Sequence, residues 1–155
     1  MSKNSITIDL QNELNLAGVP DVALMQRWVV AALQQDYAEL EQPIRVVDEA
    51  ESQLLNKTYR DRDQPTNVLS FRSEDSAFLD YDHLGDLVIC APVVAVEARN
   101  QCKTPEAHWA HMIVHGMLHL QGFDHIDEEE AEQMERLEIE ILSSLGHTNP
   151  YLSKV

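Results

Sequence analysis

The chain has 155 residues, with 27 Asp and Glu against 11 Lys and Arg, and a formal net charge of −16. That length fits one domain, residues 1–155, able to bury roughly 70% of its unfolded surface, and a composition of 44% hydrophobic and 25% charged residues argues against a disordered chain. The longest apolar run, Trp28 to Leu33, spans six residues, whereas a membrane helix needs about 20, so no membrane partner is expected.

Ile6, Ile8 and Leu10 alternate with Thr7 and Asp9, which predicts a strand. Pro20 is expected to open a helix carrying Val22, Met25, Trp28, Val29, Ala32 and Leu33. Ile44, Val46 and Val47 predict a short strand. Asp48 and Glu51 then form a capping box for a helix that bears Leu54 and Leu55. Strands are expected at Asn67–Phe71 and Leu84–Cys90, with a polar loop between them, and Pro92 begins another helix. Thr104 and Pro105 read as N-cap and first helical residue of a helix running to about Gln121, with Gly122 as its stop. Asp127 and Glu130 cap a last helix, whose buried stripe is Met134, Leu137, Ile141 and Leu145 and whose end is Gly146. The order β-α-β-α-β-β-α-α-α implies an α+β fold, a small mixed sheet of about four strands covered by helices. The N-terminus lacks an apolar signal core, so the cytoplasm is the expected compartment. Cys90 and Cys102 match no CxxC pattern and are expected to be free thiols.

The strongest chemical feature is the run from His115 to His125. His115 and His119 are four apart and project from one helix face. Gly122 permits a sharp turn that brings His125 back toward them. Three converging neutral imidazoles suit a catalytic Zn²⁺ whose fourth position stays open. The spacing matches zinc proteases of the H-E-x-x-H-x-x-G-x-x-H type, and with seven histidines coincidence gives it on the order of 1% of the time. The general-base Glu of those proteases is replaced by Gly116. Asp124 is the nearest carboxylate, read either as a base, as an orienter of a ligand imidazole, or as a polar turn residue. Two other readings of the histidines stand beside the catalytic one. His108 and His111 share the helix face, so a histidine stripe lining a cleft is a rival, and a structural metal would need Cys102, His108 or His111 as a fourth ligand.

The acidity is unevenly spread. Residues 57–72 carry Lys57, Arg60, Arg62 and Arg72 against Asp61 and Asp63 and are locally +2. A guanidinium beside a metal suits phosphodiester hydrolysis, where charge grows on the phosphoryl oxygens. A surface ion pair of Arg60 with Asp61 or Asp63 is the plainer reading. Asn67 and Ser70 are candidate substrate contacts or ordinary strand-end residues. Residues 124–140 are locally −8 and read as a solvated outer face.

His115-Gly-Met-Leu-His119-Leu-Gln-Gly122-Phe-Asp124-His125, with Pro65-Thr-Asn-Val-Leu-Ser-Phe71 and Leu84-Gly-Asp86-Leu-Val-Ile89, resembles the bacterial YbeY family of zinc-dependent endoribonucleases over about residues 40–150. The resemblance implies a metal cleft between the histidine helix and the sheet. It implies one Zn²⁺ on His115, His119 and His125, and a functional Arg60 beside the cleft. It also implies a role in small-subunit rRNA 3′-end maturation and ribosome quality control. Phe123 stands where the family often has Tyr, and Arg72 where Pro is common, which adds a charge near the cleft.

The leading expectation is therefore a metal-dependent endoribonuclease acting on unpaired rRNA, with His115, His119 and His125 as ligands and Arg60 and Asp124 as catalytic groups. Water and the RNA 2′-hydroxyl are both open as nucleophiles. Its partners would be the small ribosomal subunit and ribosome-associated proteins, not DNA. The alternatives are a zinc peptidase-like hydrolase, weakened by Gly116, and a non-catalytic ribosome-assembly factor with a structural metal.

Overall fold

The computed structural model describes residues 5–73, 83–124 and 127–151. The elements are β1 (Ser5–Gln11), α1 (Val22–Ala32), β2 (Glu39–Val47), α2 (Glu49–Arg60), β3 (Val68–Arg72), β4 (Gly85–Cys90), α3 (Ala91–Asn100), α4 (Pro105–Leu120) and α5 (Glu128–Ser144). They form one four-stranded sheet of order β1-β2-β4-β3. β1, β2 and β4 run parallel, and β3 pairs antiparallel to β4. This is the α+β arrangement with a mixed sheet that the element order implies.

Local signals set most boundaries. The Asp48, Thr104 and Asp127 side chains each accept a backbone N–H three residues on, closing the first turns of α2, α4 and α5. At α1 the cap is Asp21, which accepts from Leu24 N at 2.9 Å, so Pro20 lies outside the helix it was expected to open. β2 begins at Glu39, five residues before Ile44. Gln42 interrupts its apolar alternation, yet it is fully buried, and its amide donates to the carbonyls of Pro43 and Gly85. A buried polar residue whose NH₂ group is taken up by backbone carbonyls carries no hydrophobic signature.

Strand pleating splits the interior in two. Ile44, Val46, Leu87 and Ile89 face the main core, with Met25, Trp28, Trp109, Ile113 and Met117 from α1 and α4. Val47, Leu69, Val88 and Cys90 face the other way, packed by Leu55 of α2 and by Phe71. Each large apolar side chain buried in this way contributes about 1.5–3 kcal/mol. α4 has buried residues on nearly every side, the signature of a central helix. Cys90 is buried and Cys102 exposed, both as free thiols, and burial pushes the Cys90 thiol up and away from reactivity. No helix among the described residues is long and apolar enough to cross a membrane.

The end of α4 is tied to the end of α1 by one side chain. Gln121 Nε2 donates to Ala32 O at 2.9 Å and to Met117 O at 3.0 Å, while its Oε1 accepts from Gln34 N at 2.7 Å. Gln121→Ala removes these bonds and leaves backbone groups short of partners. It is expected to lower stability by about 1–3 kcal/mol, read as a fall in the urea midpoint.

Candidate functional site

The side chains of His115 and His119 emerge one helical turn apart on α4, and their Nε2 atoms lie 3.1 Å apart. Ligand nitrogens of a tetrahedral zinc site, at about 2.0–2.1 Å from the ion, sit about 3.3–3.4 Å from one another. On the far side of the His115 ring, Nδ1 faces Glu138 Oε1 from α5. A neutral His115 that donates from Nδ1 presents its Nε2 lone pair toward His119. Carboxylate–imidazole pairs of this kind orient metal-ligating histidines.

Glu138 itself is completely buried. Burial alone pushes its carboxyl up. The nearby His111 and His115 imidazoles and the Tyr151 hydroxyl outweigh that and hold it down at about 2. The buried carboxylate is therefore ionised and acts only as an acceptor. Burial and the neighbouring Glu138 charge push the Tyr151 phenol up, so its hydroxyl stays protonated and donates to Glu138 Oε2.

Past His119 the chain turns as its sequence requires. Gly122 has φ +100°, Gly122 N donates to His119 O, and Phe123 N donates to Leu118 O. This is a Schellman closure, in which Gly is the favoured left-handed residue. It delivers Asp124 to the rim of the same cleft. His125, the expected third ligand, lies outside the described residues. Among those described, no group of three His, Cys, Asp or Glu side chains has metal-holding geometry. The two converging imidazoles, one anchored by a carboxylate, are a donor set that suits zinc.

The cleft of about 610 Å³ lies between the end of α2, β3 and the end of α4. Arg60, Arg62 and Arg72 line it together with His115, His119 and Asp124. α2 ends at a left-handed Asp61, φ 57°, which leaves Arg60 at the mouth. The Arg60 guanidinium donates to Ser70 O at 2.8 Å and to Tyr59 O at 3.2 Å, and sits 5.1 Å from the centre of the Phe71 ring. Asp63 is engaged by Gln53 and Lys57. Among the described residues Arg60 is thus held by neutral groups, the carbonyls of Tyr59 and Ser70 and the Phe71 ring, and not by the Asp61 or Asp63 ion pair that the sequence allows.

At Gly116, α4 packs tightly against the sheet. A Cβ there would come within 2.7 Å of Leu87 Cδ2 and 3.4 Å of Ser70 Oγ. The position that carries the base in zinc proteases faces Leu87 and Ser70 here, so a Glu there would have to displace the buried Leu87 side chain.

The other candidates are placed elsewhere. His108 and His111 are buried, 2% and 8% exposed, and are not part of a stripe lining this cleft. His108 Nε2 pairs with Glu97 at 2.8 Å, and burial holds its imidazole below the ordinary value despite that bond. His111 Nε2 faces the Tyr151 hydroxyl at 3.4 Å. Cys102 is exposed. Asn67 spends its amide on Glu97 and its carbonyl on Val68 N, the strand-end role. The acidic stretch is exposed at Glu128, Glu129, Glu130, Glu132, Glu135 and Glu140 as expected, but Glu138 is a correction to the solvated-face reading. Its signal was its spacing: Glu138 falls four after Met134 and three before Ile141, on the buried stripe itself. Tyr151 carried no comparable signal.

A sequence model of the family described as endoribonuclease YbeY matches residues 9–146. The solution structure of TM1509 from Thermotoga maritima is similar in fold, with a TM-score of 0.53 and 23% sequence identity, covering 91% of each chain.

Gly116→Glu tests whether the cleft accommodates a protease-type base. It overpacks the α4–sheet contact and buries a charge, so stability is expected to fall by at least about 2 kcal/mol in urea denaturation, with no peptide cleavage gained.

Proposed function

The chain belongs to the YbeY family of endoribonucleases, and from that premise we propose that it is zinc-dependent and cleaves unpaired rRNA, in maturation of the small-subunit rRNA 3′ end and in ribosome quality control. The observation that supports this reading best is one cleft containing two converging imidazole nitrogens and three arginines. Imidazoles suit a borderline-soft metal, and guanidinium forks suit phosphoryl oxygens.

In this reading His115, His119 and His125 hold the ion. When bound, Zn²⁺ supplies Lewis-acid stabilisation of charge at a phosphoryl oxygen. Glu138 keeps His115 in the tautomer that offers Nε2. Arg60 binds the scissile phosphate. Two of its five N–H groups are used by the carbonyls of Ser70 and Tyr59, which fixes the fork and leaves other donors for the substrate. Held there before reaction, it stabilises the charge that develops on the phosphoryl group without reorganising. Arg62 and Arg72 draw the flanking backbone into the cleft. Asp124, at the rim, accepts the proton of the attacking hydroxyl. A single strand bends its phosphates into a cleft between helix and sheet more readily than a duplex does. The strongly acidic remainder limits binding to free RNA, so the ribosomal subunit and its associated proteins, in the cytoplasm, present the substrate.

Metal analysis of the purified protein, paired with rRNA cleavage by variants, tests the proposal. One zinc per chain is expected. His115→Ala and Arg60→Ala are each expected to lose about a hundredfold or more in cleavage while the folded state persists. Arg60→Lys, which keeps the charge but not the fork, should recover only part. Full cleavage by both purified alanine variants would overturn the reading.

A further inference from the structure

We propose that Tyr151, beyond the end of α5, is a positioning residue for the metal site: its hydroxyl holds Glu138 in the one orientation that fixes His115. This rests on the zinc reading above.

The chain reaches this point by a built path. α5 closes through Gly146 N to Ser143 O at 3.0 Å and His147 N to Leu142 O at 2.8 Å, with Gly146 at φ +89°. The chain then doubles back along α5. Asn149 Oδ1 accepts Tyr151 N at 2.8 Å and fixes the returning turn. Tyr151 arrives 44% exposed as a residue, with its hydroxyl directed inward to Glu138 Oε2. The ring packs edge-on against His111 at 5.4 Å between centroids.

The two oxygens of the buried carboxylate therefore have different partners. Oε1 takes His115, and Oε2 takes Tyr151. Two features give the hydroxyl a task beyond packing. A cavity of about 210 Å³, lined by His115, Ala131, Met134, Glu135, Glu138 and Tyr151, lies beside the carboxylate and gives it room to rotate. His111 Nε2 stands 3.8 Å from Oε1, as a competing donor for the oxygen that holds His115. With the hydroxyl present, the carboxylate is pinned at both ends. Without it, Oε2 has lost its donor, and rotation toward His111 releases His115 Nδ1. The His115 ring then no longer holds one orientation toward His119.

Tyr151→Phe separates this role from packing, because it keeps the ring and deletes only the hydroxyl. Zinc affinity of the full chain, measured by competition with a chelator of known affinity, is expected to fall about tenfold. The visible absorption of the Co²⁺-loaded protein should change as well. The urea midpoint of the metal-free protein should fall as well, because the buried Oε2 loses its donor, and Tyr151→Ala, which also loses the ring, should fall further yet bind zinc no better than Tyr151→Phe. Zinc affinity and a Co²⁺ spectrum indistinguishable from wild type in Tyr151→Phe would overturn the assignment, showing that water in the cavity replaces the hydroxyl. A wild-type protein that takes up no stoichiometric zinc would instead overturn the metal reading on which the assignment stands.

Discussion

The contact between α4 and the sheet at Gly116 is the constraint on which the rest of the site depends. Without a Cβ at that position, α4 settles onto Leu87 and Ser70, and a helix with a fixed depth and rotation has its other positions decided. Residue 115 and residue 119 then face the cleft beside β3. Residues 108 and 111, on the same strip of helix but nearer its start, are carried into the interior. One packing distance thus separates four histidines of one helix into two pairs with different surroundings. It also accounts for the absence of a protease-type base, since the residue after the first histidine is the one pressed against the sheet.

A second consequence is the buried carboxylate of α5. An ionised group with no solvent exposure is costly by several kcal/mol unless its oxygens are partnered. Glu138 meets His115, Tyr151 and, at longer range, His111. An apolar residue on this stripe would pack at least as well, as Met134 and Ile141 do on either side. The physical return for a charge here is directional: it selects one tautomer and one ring orientation of His115. Stability is a poor explanation for such a residue, and orientation of the His115 imidazole is a good one.

Sequence patterns revealed the element order, the caps at Asp48, Thr104 and Asp127, the stop at Gly122 and the pairing of His115 with His119, because each rests on local spacing. They revealed less wherever a polar residue is buried. Gln42 hid the first half of β2, since its partners are backbone carbonyls that leave no trace in hydropathy. Glu138 was absorbed into a run of acids, although its helical phase already set it on the apolar stripe. Arg60 is followed closely by Asp61 and Asp63 in sequence, and local charge suggested an ion pair. Its partners are instead Ser70 O and the Phe71 ring, brought to it by the β3 strand. Tyr151 meets Glu138 only because the chain reverses at Gly146, and such a return is a tertiary fact.

The net charge of −16 is compatible with an RNA-cleaving family because charge acts locally. Screening at physiological salt extends only about 8 Å, so a phosphate entering the cleft responds mainly to the groups that line it. Among the described residues the charged and titratable ones are three arginines, two histidines and Asp124, and no residue of α5 is among them. The exposed acids of α5 act on a different scale. They oppose the broad, sequence-independent counterion release that would let a basic protein coat any RNA. A basic cleft within an acidic body binds a phosphate that is brought to it and rejects strands that merely diffuse past. On the proposed reading, selectivity comes from presentation: a particle that places one unpaired segment at the cleft supplies the binding energy that the protein's own surface withholds.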